Sequence, residues 1–148
     1  MPDSNVGKAR PRPYGNQHML SQYLYISTAP DMAREQVDEI LASSSRNNPA
    51  RGITGLLLYN GRNFLQLLEG DESQLVALMT RIAYDPRHSG VSMLSRKEVE
   101  DRACPDWAMR RITIADSVEK RRSNLDADLP NILDPETRRL IMNFAVLN

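Results

Sequence analysis

The sequence predicts an α+β fold: a ferredoxin-like mixed sheet in the order β-α-β-β-α-β-β, with two helices on one face and further helices at the C-terminus. Three observations lead to it. Two apolar runs flank Asn60-Gly61, among the strongest short hairpin signals. Each of two amphipathic helical stretches follows a strand-like run, the alternation expected of a split β-α-β plan. The chain has 148 residues, 41% hydrophobic and 26% charged, which suits one globular domain able to bury a core.

The elements follow in order. Residues 1–18 ("MPDSNVGKARPRPYGNQH") are rich in Pro, Gly, Asn and charge and carry no apolar period, so a flexible leader is expected there. "SQYLYIS" (Ser21 to Ser27) is aromatic-rich and reads as a first strand, closed by the "TAPD" turn. In "AREQVDEILASSSRN" the residues Val37, Ile40 and Leu41 form one stripe of a first helix. That helix is expected to end near Asn47-Asn48, because Pro49 follows and Asn tolerates left-handed conformations.

"RGITGLLLYNGRNFLQLLEG" gives the hairpin, and "DESQLVALMTRIAY" a second helix with Leu75, Leu78, Met79 and Ile82 at helical spacing and Pro86 beyond its end. "VSMLSRKEVE" and "WAMRRITIA" supply two further strands. In the latter, Met109, Arg111 and Thr113 alternate with Arg110, Ile112 and Ile114. The domain is expected to span residues 19–116, with 117–148 a helical extension. That tail opens a helix at Asp134-Pro135 and carries the apolar series Leu140, Ile141, Phe144 and Leu147, to pack on the open sheet face or on a partner.

Several function classes lose support on composition. Lys+Arg and Asp+Glu are 19 each, so no net charge draws the chain to nucleic acid or an anionic membrane. One cysteine, Cys104, forms no intramolecular disulfide, and no Cys/His spacing suits zinc. No apolar run approaches a membrane span and no signal-peptide core is present. A cytoplasmic location is expected.

One polar residue stands out. In "NFLQLLEG" the side chains alternate, so Phe64, Gln66 and Leu68 share one face and Leu65, Leu67 and Glu69 the other. A buried, unpaired Gln66 amide costs about 1–3 kcal/mol, so it needs polar neighbours or a ligand edge. Tyr25 on the first strand is one candidate neighbour, since a buried phenol also needs a partner. "SSSRNNPARGITG" brings further polar groups toward the same end of the sheet. The cluster is a site or a polar helix terminus; taken singly, Gln66, Tyr25, the Asn pair and Ile40/Ile82 all have ordinary structural explanations.

Together, "YIS" at 25–27, "SRNNPARGITGLLLY" at 45–59, "FLQLLEG" at 64–70, "DPRH" at 85–88 and "WAM" at 107–109 resemble a BLUF domain, the blue-light sensors that use flavin. The resemblance covers about Leu20 to Asp116. It implies that Tyr25 donates an electron and proton to the excited flavin, and that Gln66 bridges this tyrosine and the flavin edge. It implies that Asn48 bonds the ring, that Asn47 and Ser44 line the cofactor, and that Ile40 and Ile82 clamp the ring faces. Arg81, Asp85, Arg87 and His88 match positions around the ring's pyrimidine end and side chain. Trp107 and Met109 match a signal-relay segment in which either residue can face Gln66.

The implied cofactor is FAD, with FMN or riboflavin as alternatives. The implied partners are a separate downstream signalling protein or a second copy of the chain, with no catalytic turnover, no nucleic acid and no membrane. The rival reading is a ferredoxin-like RNA-binding or protein-interaction module without cofactor. For RNA, the central strands should carry solvent-facing aromatics and basic residues, whereas "FLQLLEG" offers one Phe and an acidic end. A hydrolase lacks support, because the sequence has no phosphate-cradling Gly-rich loop, His pair or metal motif.

Overall fold

A computed structural model describes residues 20–115 and 117–147, so the expected leader lies outside the described residues. The elements are β1 (Leu20–Thr28), α1 (Arg34–Arg51), β2 (Thr54–Tyr59), β3 (Asn63–Asp71), α2 (Glu72–Ala83), β4 (Ser89–Val99), β5 (Arg110–Arg111), α3 (Val118–Asp128) and α4 (Pro135–Leu147). They form a sheet in the order β4-β1-β3-β2-β5. All pairs are antiparallel except β2 with β5. Strand β3 therefore lies between β1 and β2, which is the expected split β-α-β arrangement.

Local chemistry explains the joints. Between β2 and β3 the Asn60 side chain accepts the N–H groups of Arg62 (2.9 Å) and Asn63 (2.7 Å), while Gly61 takes φ 93°, a left-handed value at which a side chain is strained. Helix α1 does not stop at Asn47-Asn48 as expected. It runs two residues past Pro49 to Arg51, where Gly52 adopts φ 66°. The N–H of Ile53 reaches the Asn48 carbonyl at 3.0 Å and that of Gly52 the Pro49 carbonyl at 3.2 Å. This double closure satisfies the last carbonyls and outweighs the donor that Pro49 lacks. Asn48 is thereby held inside the final turn and buried.

Strand alternation splits the core in two. On one face Tyr23, Tyr25, Leu57, Phe64 and Leu68 pack with Val37 of α1, Leu75 of α2 and Met109. On the other, Leu24, Leu56, Leu58, Leu65 and Leu67 pack with Ile112, with Leu125 of α3 and with Ile141 and Phe144 of α4. The C-terminal helices thus cover the sheet within the chain. That places Ile141 and Phe144 of the apolar series in the core, with Leu140 partly buried against the same cluster. Asp134 closes the start of α4: it accepts the Thr137 N–H at 3.1 Å and pairs with Lys97 of β4 at 2.5 Å.

One strand is much shorter than expected. Of "WAMRRITIA" only Arg110 and Arg111 join the ladder, in parallel with Leu56 and Leu57. Upstream, a turn closed by Trp107 N–H to the Cys104 carbonyl (3.3 Å) bends the chain away from an extended path.

Candidate functional site

A cavity of about 300 Å³ lies over the sheet between α1 and α2. Its wall includes Tyr25, Ile40, Ser44, Asn47, Asn48, Gln66, Arg81, Ile82, Asp85, Arg87 and His88, all eleven residues singled out in the sequence for a cofactor. Ile40, Ser44, Asn47 and Asn48 arrive together because positions three, four, seven and eight apart share a face of α1. Ser43, Arg51, Leu57, Phe64 and Leu78 complete the wall and were not anticipated. The same helical spacing places Ser43 and Arg51 beside Asn47, and Leu78 beside Arg81 and Ile82; strand alternation places Phe64 beside Gln66.

At the centre, Tyr25 and Gln66 are direct cross-strand partners in the β1–β3 register. Both are buried, at 4% and 5% exposure. The Tyr25 hydroxyl donates to Gln66 Oε1, and Gln66 Nε2 donates to Met109 Sδ at 3.3 Å. Burial first, and the charge of Asp85 second, push the Tyr25 pKa well above the ordinary phenol value, so the phenol keeps its proton and acts as a donor. The polar residue in the apolar strand is therefore satisfied from both ends of its amide. Leu57 faces Gln66 from the neighbouring strand.

The segment carrying Met109 is tied to both core helix and sheet. Asn48 Nδ2 donates to the Ala108 carbonyl at 2.6 Å, and Gly55 N–H to the Trp107 carbonyl at 2.9 Å. Gly55 admits no side chain here, since a Cβ would lie 1.9 Å from the Leu67 carbonyl oxygen and 3.3 Å from Met109 Cε. Of the two residues the sequence left open, Met109 is the one that contacts Gln66. Trp107 packs instead against the core on the α3–α4 side, with the Arg110 guanidinium 4.6 Å from its ring centroid.

The other end of the cavity is polar. His88 places Nε2 2.6 Å from the Ile82 carbonyl and Nδ1 2.8 Å from Ser27 Oγ. A carbonyl only accepts, so Nε2 carries a proton. Arg87 grips Asp85 through two nitrogens, the shorter contact 2.6 Å. Those hydrogen bonds hold the Asp85 carboxyl below its usual range, and the carboxylate in turn raises the Arg87 pKa. Asn47 Nδ2 lies 3.4 Å from Ser43 Oγ.

This donor set suits a flat, conjugated ring with hydrogen-bonding edges. Ile40, Ile82, Leu57 and Leu78 offer apolar faces, while Gln66, Asn48 and Asn47 offer amides that can meet ring carbonyls and nitrogens. A volume of about 300 Å³ is at the small end for ligand pockets. It does not discriminate among FAD, FMN and riboflavin, which share one ring. Among the described residues no His/Cys/Asp/Glu group could hold a metal ion, and no helix is long and apolar enough to cross a membrane. The sheet faces that an RNA-binding reading needs open are both packed with helices.

Comparisons with known proteins agree with this architecture. The chain is 35% identical over 96 residues to the photoactivated adenylate cyclase subunit beta of Euglena longa, covering 64% of this chain and 11% of that protein. The chain thus spans only about a tenth of that relative's length. Among solved structures, the dark state of BlrB, a BLUF protein, is matched with a TM-score of 0.62 at 32% identity, covering 84% of this chain and 85% of that one. Klebsiella pneumoniae BlrP1 with FMN and cyclic diGMP is matched with a TM-score of 0.75 at 30% identity, covering 86% of this chain and 34% of that one. A sequence model described as sensors of blue light using FAD matches residues 20–110. With a cavity of this chemistry on a sheet of this topology, the chain belongs to the BLUF family of blue-light, flavin-binding sensors.

Proposed function

We propose that the chain is a blue-light receptor whose cavity holds a flavin ring and whose signal is a rearrangement of the Gln66 amide. The observation that carries this reading is the buried chain Tyr25–Gln66–Met109, whose first two members line the cavity. Ile40 and Ile82 flank the ring, Asn48 and Gln66 bond its edge, and Asn47, Ser44, Arg81, Asp85, Arg87 and His88 surround its periphery and side chain. FAD is the cofactor proposed, on the family's description; FMN, present in the BlrP1 structure, shares the ring.

When bound, flavin supplies a blue-absorbing ring whose excited state is a strong enough oxidant to draw an electron from a phenol. Tyr25 is the donor: it is held neutral by burial, and its proton already points at Gln66 Oε1. Losing an electron makes the phenol strongly acidic, so the proton moves onto the Gln66 amide. Once Tyr25 had regained its electron and proton, the Gln66 amide would be left in its alternative bonding pattern, by rotation or by tautomerisation. An amide has a donor end and an acceptor end of nearly equal size, so two patterns fit one cavity.

Rotation would remove the bond from Nε2 to Met109 Sδ seen in the structure, and tautomerisation would leave Nε2 one proton fewer with which to make it. Met109 leads directly into β5, and Ile112 and Ile114 beyond it belong to the core under α3 and α4. A shift in the population of Met109 positions can therefore reach the C-terminal helices on the far face. The chain has no catalytic turnover of its own in this reading, and passes its state to a separate protein or to a second copy. The test is Gln66→Leu in the flavin-loaded chain: flavin uptake is retained and the light-induced absorption shift is lost. A normal shift in that variant contradicts the assignment.

A further inference from the structure

We infer that Glu69 is a positioning residue: it fixes the register of the segment that presents Met109, and not Trp107, to Gln66. The inference rests on the photoreceptor reading and adds a residue to it. Glu69 lies on β3 three positions from Gln66, on the opposite face. It is fully buried, at 0% exposure. Its Oε2 accepts the Ala103 N–H at 2.7 Å and Gln22 Nε2 at 2.9 Å; its Oε1 accepts the Cys104 N–H at 2.9 Å and lies 3.4 Å from Thr54 Oγ1.

A carboxylate removed from water persists only when its lone pairs are filled, and here two are filled by backbone N–H groups of the β4–β5 connection. Arg102 grips the same place from the other side, donating to the carbonyls of Gly52 (2.7 Å) and Glu69 (3.2 Å) and to Thr54 Oγ1 (2.9 Å). The connection is thus pinned to the sheet at residues 102–104. Only Pro105, Asp106, Trp107 and Ala108 separate the pin from Met109.

Register follows from the pin. In an extended segment Trp107 and Met109, two residues apart, share a face. Here they do not: Met109 packs on the cavity side and Trp107 on the α3–α4 side. The turn from Cys104 to Trp107 separates them, and that turn starts at the residue Glu69 holds. Ala103 and Cys104 lie in the core beneath α3 and α4, so the pin anchors the segment to the far face of the sheet. Released, the segment can slip by two residues and bring Trp107 to Gln66.

The test uses Glu69→Gln in the full chain, where an amide sets its own N–H groups against a site built from donors. Hydrogen exchange at residues 103–109 is expected to rise about tenfold or more while the β1–β3 ladder keeps its protection. In the flavin-loaded variant, flavin emission is expected to fall as the indole reaches the ring, and to recover when Trp107→Phe is added. Should Glu69→Gln fail to fold, Arg102→Gln removes the second grip and carries the same expectations. Unchanged protection at 103–109, or unchanged flavin emission with the segment loosened, overturns the inference. A wild-type chain that takes up no flavin refutes the photoreceptor reading instead, and the exchange result still decides the pin.

Discussion

Replacing Tyr25 with Phe removes one hydroxyl and leaves the ring, so the packing of Tyr25 among Phe64, Leu57 and Met109 in its core cluster is preserved. What changes is Gln66 Oε1, which loses the donor it has in a site 5% exposed. An acceptor buried without its partner costs about 1–3 kcal/mol. Urea denaturation in the dark, on wild type and Tyr25→Phe with the same cofactor content, should find a loss in that range.

The same substitution has a pH signature. Burial raises the folded pKa of Tyr25 above its unfolded value, so the unfolded chain releases that proton first as pH rises. Stability from Tyr25 is therefore full below about pH 10 and falls by about 1.4 kcal/mol per pH unit above it until the folded value is reached. Phe abolishes that slope. Tyr23, raised by burial and then by its hydrogen bond to Glu72, keeps its own. Under blue light the flavin-loaded variant should show no normal shift. A loss of stability under about 0.5 kcal/mol, an unchanged alkaline slope, or a normal photocycle would contradict the role given to the Tyr25 hydroxyl.

Ile141→Ala empties a fully buried position between α4 and the sheet and should cost about 2–5 kcal/mol in chemical denaturation. It should leave the absorption shift intact, because the cavity lies on the other face. Desolvation works against ionisation of Asp134, but hydrogen bonds from Lys97 and Thr137 outweigh it and hold the carboxyl down to about 2. That folded value is below the unfolded one, so the docking of α4 to β4 is supported above about pH 4 and weakens as pH falls through about 2. Acid titration followed by hydrogen exchange at 134–138 should detect this weakening, and Asp134→Asn should remove it.

Much of the fold was legible because its signals are local. The Asn60-Gly61 hairpin, the α2 stripe and the Asp-Pro start of α4 each depend on a few adjacent residues, and alternation alone put Gln66 and Glu69 on opposite faces. The path from Cys104 to Met109 was not legible. Its bend depends on a buried carboxylate thirty-odd positions earlier, and no period in "WAMRRITIA" announces that Trp107 leaves the face of Met109. Likewise Pro49 read as a stop, while the closure at Gly52, made by backbone bonds, extends the helix past it. Of the cavity wall, Gln66 stood out because burial of an amide demands an explanation, while the other polar members were implied only by the resemblance to the BLUF family; Leu57, Phe64 and Leu78 looked like any core residue.

The central claim is that light changes the hydrogen bonding of Gln66 to a bound flavin without changing the cofactor's final redox state. The most direct test is the absorption spectrum of the purified, flavin-loaded chain before blue light, just after it, and during dark recovery. A small red shift of the flavin bands that reverses fully in the dark is expected. A yellow protein whose bands do not move, or one that bleaches to a reduced flavin and stays so, would contradict it.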